Sequence, residues 1–298
     1  MTECGSRDDG VRLLDRRVGA LQLTGADASA TLGAVRIHHL NCGSMGMGMV
    51  DHCLLVETRT SLVLVDTGFG LDCVRNPGRM VGPNRFFLGV RPVEHETAYR
   101  QIQALGYDPA DVGHILLTHL DLDHAGGLAD FPDAVVHVHG PEFRAATAGR
   151  TLSERMRYRA VQWAHGPKWM VNEIDGGEDW FGFRAVRDLP GLPPEILVIP
   201  LPGHTRGHAG VAVDTGSGWL LHAGDAFYLS SEIDPAGPRT PPLWRVYEAG
   251  AIVGPAYREN RRRLVELNRM HGGEMTIFCS HDPEAFARLS GASAPPVR

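Results

Sequence analysis

Thr118-His119-Leu120-Asp121-Leu122-Asp123-His124-Ala125-Gly126-Gly127 places four side chains able to bind a cation, His119, Asp121, Asp123 and His124, within six positions. Asp111 to Thr118 reads as an apolar strand entering a loop, and the closing Gly-Gly lets the backbone turn away tightly. Ahead of that strand, Ala98, Ile102 and Leu105 recur at helical spacing within Glu94 to Leu105, which stops at Gly106. A polar turn capping a helix through Asp121 or Asp123 would use the same residue types, so the decision between the two lies downstream.

Three isolated signals follow: Pro202-Gly203-His204, Ala223-Gly224-Asp225 and Phe278-Cys279-Ser280-His281. Counted from His124, the intervals are 80, 21 and 56 residues. Imidazoles and carboxylates arriving at the ends of separate strands are what a two-ion centre requires, because no short segment can surround two cations by itself. Cys53 to Glu57 and Leu62 to Asp66 flank Arg59-Thr60 as a buried hairpin. Ala209 to Val213 and Trp219 to His222 repeat that phrase and lead to Asp225. Ser153 to Ala164 and Glu259 to His271 read as helices, the second with Leu264, Leu267 and Met270 on one face. Strands alternating with helices predict a single α/β domain over 35–298, preceded by an arm or early strand over 1–34. Loop insertions fall near 76–93, 142–185 and 229–258, stretches rich in Gly, Pro and aromatic residues.

The 298 residues are 43% hydrophobic and 21% charged, too ordinary in hydropathy for a disordered chain. A net charge of −6 argues against a nucleic-acid partner. The first thirty residues carry no long apolar run, so neither an export signal nor a membrane partner is expected. Five cysteines without CxxC spacing fit a reducing compartment, and a cytoplasmic location is expected.

Taken together, the signals resemble the metallo-β-lactamase superfamily, whose pattern is HxHxDH, a distant His, a bridging Asp and a final His. The resemblance covers about residues 35 to 290 and includes the strand end at Asp66. It implies an αββα sandwich of two mixed sheets with outer helices and the metals at one edge. It further implies His119 and His204 on a first divalent ion, Asp123, His124 and His281 on a second, and Asp225 between them. Zinc is the first expectation for the two ions, with iron or manganese as alternatives. Asp121 departs from the pattern, standing where the family usually has its second His. An Asp oxygen reaches about as far from Cβ as the Nδ1 that His commonly uses, so Asp121 is expected to ligate. With it the site gains a negative charge and should acidify bound water less. In the alternative, Asp121 does not ligate and the protein carries one metal.

Asp66 and His208 are expected to orient ligands rather than bind metal. His137 and His139 share a strand face and are read as ordinary core or surface histidines. Cys279 is read as an inert buried thiol. Met45 to Met49 offers flexible apolar side chains for a pocket wall or for loop packing. Trp163, Trp169, Trp180, Phe181 and Phe183 form an aromatic-rich subregion, core first and substrate cradle second.

The implied chemistry is hydrolysis, with a metal-bridging hydroxide opening the carbonyl of a small-molecule ester or lactone. Tyr228 lies three residues after Asp225, the offset at which acyl-homoserine lactonases of the superfamily carry a tyrosine near the substrate carbonyl. Tyr228 is therefore assigned to oxyanion or leaving-group stabilisation, and Asp123 to proton transfer as well as ligation. A stand-alone iron oxidoreductase, a thioesterase and a non-catalytic metal-containing relative are the alternative readings.

Overall fold

The computed structural model describes residues 35–291, except residue 175 and the side chains at 84 and 87. The expected arm over 1–34 lies outside the described residues. Strands β1 (Arg36–Ser44), β2 (Val50–Glu57), β3 (Leu62–Val65), β4 (Val112–Leu116), β5 (Val135–His139) and β6 (Lys168–Asn172) form one sheet in that order. Its first three strands are antiparallel and its last four parallel. A short hairpin follows, β7 (Glu178–Trp180) with β8 (Phe183–Ala185). The second sheet is built from β9 (Ile196–Pro200), β10 (Ala209–Asp214), β11 (Trp219–His222) and β12 (Met275–Phe278), in the order β12-β11-β10-β9. Its β11–β12 pair is parallel and the others antiparallel, so both sheets are mixed.

Side-chain alternation along the strands makes the layers. Leu54, Val56, Val63, Val65 and Leu116 from the first sheet meet Ile196, Val198, Val211, Val213 and Phe278 from the second in one buried cluster. The intervening residues Leu55, Leu64, Ile115, Val136 and Val138 face outward and pack with Ala98 and Ile102 of helix Ala98–Ala104 and Ala145 of helix Gly140–Ala148. On the opposite side Leu197, Ile199, Leu221 and Ile277 pack with Leu264 and Leu267 of helix Gly254–His271. Strands buried on both faces read as continuous apolar runs, as these do. Each fully buried Val or Leu contributes roughly 1.5–3 kcal/mol. The αββα arrangement follows.

Three expectations are corrected in detail. The helix expected over 153–164 is the helix Leu152–Arg157, after which Tyr158 turns extended (φ −80°, ψ 133°) and a 3-10 turn covers Ala160–Trp163. Tyr158 is buried with its hydroxyl on Glu142 Oε1 at 3.1 Å, and that contact draws the backbone out of the helix. Met270 is 59% exposed rather than part of the apolar face. The aromatic group divides, with Trp163 and Trp169 against the first outer cluster and Trp180, Phe181 and Phe183 with the second. It is core on two sides of the molecule, not one cradle. Among the described residues no helix is long and apolar enough to cross a membrane.

Candidate metal centre

Four loops, after the C-terminal ends of β4, β9, β11 and β12, carry the expected donors to one edge of the sandwich. The first is anchored by Asp66 at the end of β3, a non-glycine residue at positive φ (57°). Its carboxylate accepts from the Thr118 amide at 2.8 Å, from Thr118 Oγ1 at 2.7 Å and from His124 Nδ1 at 2.8 Å. Gly126 and Gly127 pass so close to the β3 end that a Cβ would lie 2.8 Å from Gly68 O and 2.7 Å from Thr67 O, respectively. The Gly-Gly pair is therefore required by the packing of the loop.

Glu142, fully buried on helix Gly140–Ala148, ties this loop to the His204 loop: Oε1 accepts from Leu120 N at 3.0 Å and Oε2 from Gly207 N at 3.1 Å. The His204 loop is strapped from outside by Ile252 N to His204 O (3.0 Å) and Val253 N to Gly203 O (2.9 Å). His208 Nε2 accepts from the Asp225 amide at 2.9 Å, while its Nδ1 donates to Leu201 O at 3.0 Å. With its lone pair given to a backbone amide, His208 holds Asp225 in place instead of offering itself to a metal. Asp66 and His208 thus take supporting positions, one behind His124 and the other behind Asp225.

Asp225 lies in the middle of the centre. Its oxygens are 3.4 Å from His124 Nε2, 3.5 Å from His204 Nε2 and 3.1 Å from His281 Nε2. Asp123 stands 4.0 Å from His124 Nε2 and 3.8 Å from His281 Nε2. Asp121 Oδ2 is 3.3 Å from His119 Nε2 and 3.0 Å from His204 Nε2. Three donor groups result, His119–Asp121–His204, His119–His124–Asp225 and Asp123–His124–His281, each with its ligand atoms within 4.8 Å of one another.

The donor chemistry fits a cation. His119 Nδ1 faces Thr118 Oγ1, His124 Nδ1 faces Asp66, His204 Nδ1 faces Tyr228 Oη and His281 Nδ1 faces Val50 O. When neutral, each ring therefore carries its proton on Nδ1 and turns the Nε2 lone pair inward. His119 Nε2, His124 Nε2, Asp121 Oδ1 and Asp225 Oδ1 are buried without a hydrogen-bond partner. Orphaned atoms of this kind need an explanation, and a shared cation supplies one for His124 Nε2 and Asp225 Oδ1.

Electrostatics agree. Burial opposes the charge on Asp225, but His281, His124 and His204 outweigh it and hold the carboxyl well below its ordinary range. Burial likewise opposes a charged His281, yet Asp225 and Asp123 push it up to about 9. His124 is raised too, with Asp225, Asp66 and Asp123 overcoming its burial. His281 must lose its proton to bind an ion, so below about pH 9 apparent affinity falls about tenfold per pH unit on its account, and His124 acts in the same direction. Calorimetry of zinc binding near pH 7, in buffers of differing ionisation enthalpy, is expected to report at least one proton released per ion. Zero release would contradict this account.

Three polar residues of the centre carry no signal in the linear motif. Arg157 Nη1 donates to Asp121 Oδ2 at 2.6 Å and to His204 Nε2 at 2.7 Å, while Nη2 donates to Gly250 O at 3.0 Å. This guanidinium, with His119, outweighs burial and holds the Asp121 carboxyl well below its ordinary range. Burial and the same guanidinium lower His204 to about 4. The expectation that Asp121 makes the site more negative is corrected accordingly, since the Asp121–Arg157 pair is as neutral as the imidazole it replaces. Glu142 is the second such residue. Asp51 on β2 is the third, fully buried with both carboxylate oxygens unpartnered, and burial pushes its carboxyl well above the ordinary range. A lone acid within the apolar run of β2 was the available signal for it.

Tyr228 is buried beside the donors, its ring stacked on His281 at 5.5 Å and on Tyr247 at 4.7 Å between centroids. Trp244 and Tyr247 pack against a cluster containing Met45, Met49 and Met80, and Tyr247 Oη lies 3.8 Å from Met47 Sδ. The Met45–Met49 stretch thus packs under the 229–258 segment near Tyr228. Cys279 is buried beyond the end of β12, and burial pushes its thiol well above the ordinary range. His137 Nε2 meets His114 Nδ1 at 3.1 Å and His139 Nδ1 donates to Gly207 O at 2.9 Å, so both have protein partners.

Comparison with known proteins places these observations. A family model described as the metallo-beta-lactamase superfamily matches residues 48–257. A probable metallo-hydrolase of Mycobacterium tuberculosis is 48% identical over 256 residues, 85% of this chain and 82% of that protein. An N-acyl homoserine lactonase of a Bacillus species is 29% identical over 186 residues, 61% of this chain and 66% of its own. Among solved structures, a mutant of Bacillus thuringiensis AiiA with N-decanoyl-L-homoserine bound at its active site superposes with a TM-score of 0.64 at 21% identity, covering 88% of this chain and 97% of that one.

Proposed function

Because the chain belongs to the metallo-beta-lactamase superfamily, we propose that it is a metal-dependent hydrolase that opens the carbonyl of a small-molecule ester or lactone. The observation that carries the reading is the convergence of four inward-facing imidazoles with Asp123, Asp225 and Tyr228 at one sandwich edge. The lactonase relatives, named for N-acyl homoserine lactones, support a lactone as the first substrate class.

Asp123, His124, Asp225 and His281 would hold a divalent ion, zinc first and iron or manganese next. His119, Asp121 and His204 form the donor set of the other half, which Arg157 shares. A bound ion supplies Lewis acidity and a water acidified enough to attack at neutral pH. The protein's own groups complete the chemistry. His204 Nδ1–H donates to Tyr228 Oη (3.3 Å), which leaves the phenolic hydrogen free for a substrate oxygen. Burial and the charge of Asp225 hold that phenol well above its ordinary pKa, so it is a donor throughout the neutral range. Asp123 is the least enclosed carboxylate facing His281, with 13% of its side chain accessible, and is suited to passing a proton to the departing alkoxide. The apolar Met45–Met49 and Trp244–Tyr247 flank suits an apolar acyl group.

Metal-loaded protein is assayed on aliphatic lactones, aryl esters and thioesters. Turnover of lactones or esters is expected, and no turnover of any by fully loaded protein would refute the reading. Tyr228→Phe is expected to lower kcat by about a hundredfold, the usual cost of losing one oxyanion donor, with KM little changed. An unchanged kcat would remove Tyr228 from the chemistry.

A further inference from the structure

We infer that Arg157 occupies the cation position of the first half of the centre, so that the protein works with one divalent ion, held by Asp123, His124, Asp225 and His281. The inference rests on the hydrolase reading only for its catalytic meaning. Its structural basis is separate.

Arg157 Nη1 sits at hydrogen-bond distance from both Asp121 Oδ2 (2.6 Å) and His204 Nε2 (2.7 Å), two atoms that are themselves 3.0 Å apart. That is where an ion shared by the two donors would stand. His204 has a single in-plane lone pair on Nε2, because its Nδ1 hydrogen is directed to Tyr228 Oη. A lone pair accepting an N–H from Arg157 cannot also bind a metal. A guanidinium keeps its proton at any working pH, so the position is permanently cationic, and a dication placed beside it would be repelled at close range in a water-poor site.

The guanidinium is also built in. Arg157 is the last residue of helix Leu152–Arg157, whose start is fixed by a reciprocal cap between Thr151 and Glu154. Glu154 is buried and bound by Arg206 Nε at 2.5 Å. The next residue, Tyr158, is fixed to Glu142, the same carboxylate that joins the His119 and His204 loops. Nη2 is tied to Gly250 O at 3.0 Å, so withdrawing Arg157 would break contacts with three loops, those of Asp121, His204 and Gly250. The substitution of Asp for the family's second His has its reason here, since a carboxylate compensates the charge of a buried guanidinium, which a neutral imidazole does not. Arg157 then supplies, beside Tyr228, a positive charge that the missing ion would have supplied.

The test is metal counting without substrate. Apoprotein of the full chain is loaded anaerobically with Mn(II), desalted and analysed for metal per chain and by electron paramagnetic resonance. The wild type is expected to retain about one ion with an uncoupled six-line signal. The double variant Asp121→His with Arg157→Ala, which restores the family's histidine and removes the guanidinium, is expected to rise to about two ions with a spin-coupled signal. Arg157→Lys, keeping the charge, is expected to stay at about one. Two ions per wild-type chain would overturn the inference, as would a folded double variant that stays at one. Should the double variant not fold, the wild-type count and spectrum decide alone. A one-ion protein that opens no ester or lactone would sink the hydrolase reading and leave this one standing.

Discussion

Asp225→Ala is expected to weaken binding of a divalent ion by more than about a hundredfold and to take hydrolysis with it. Loss of a residue that merely supports a metal ligand commonly costs about ten- to a hundredfold. Asp225 stands closer in, with oxygens 3.1–3.5 Å from His281, His124 and His204. Its charge is also the strongest influence raising the pKa of both His281 and His124 against their burial, so its removal lets both rings shed protons more readily. Deprotonated rings would bind metal better, and that gain works against the loss. The loss still dominates, because the alanine variant leaves two imidazoles and Asp123 around the ion where four groups had been. Chelator competition with zinc measures the affinity, and kcat/KM at saturating metal separates a binding defect from a chemical one. Affinity within tenfold of wild type would show that Asp225 is not a ligand.

Asp66→Asn is the second large effect, and it acts through a proton. The carboxylate accepts three hydrogen bonds, one of them from His124 Nδ1. An asparagine can keep the bond from the Thr118 amide through its oxygen, which leaves its NH2 facing His124. The imidazole must then accept on Nδ1 and carry its hydrogen on Nε2, the atom that faces Asp225 and Asp123. The packing survives while the lone pair needed for metal disappears. A protein that melts within a few degrees of wild type yet binds zinc about a hundredfold more weakly is the expected result. Normal zinc affinity in a folded Asp66→Asn protein would refute the tautomer assignment. The support Asp66 gives lasts well into acid. Burial opposes its charge, but His124 outweighs burial and holds its carboxyl below the ordinary value. Its contribution is therefore intact above the unfolded pKa of about 4 and is lost only as pH falls through the lower folded value.

Much of the centre was legible because its donors sit on strand ends, where apolar runs stop abruptly at polar residues. His119 through His124 form one local motif, and His204, Asp225 and His281 each follow a buried strand by a few residues. The layers were legible for the same reason, since long apolar runs demand cover on both faces. Arg157, Glu142 and Asp51 were not legible. Arg157 and Glu142 are single charged residues whose partners lie 15 or more positions away, and no spacing rule links Arg157 to Asp121 or Glu142 to Leu120 and Gly207, while the Asp51 carboxylate has no hydrogen-bond partner and shows itself only as an acid within an apolar run. The break at Tyr158, which sets the direction of Arg157, is made by a tertiary hydrogen bond that local periodicity does not encode. Likewise the aromatic residues between 163 and 183 look like one group along the chain, yet the 3-10 turn with strand β6 and the β7–β8 hairpin carry them into two separate clusters.

The backbone straps from Ile252 and Val253 to the His204 loop, with Gly250 held by Arg157, set a boundary for anyone wishing to retune this enzyme by exchanging segments. A chimera that imports the whole of 229–258 from a relative replaces the apolar Trp244–Tyr247 face and, with it, three of the stays that keep His204 and the guanidinium in register. A graft confined to 241–249 changes that face and leaves the three stays in place, together with the Glu232 and Ser230 contacts to Tyr228 and Asp282. The apolar face beside Tyr228 is thus separable from the donor loops only upstream of residue 250.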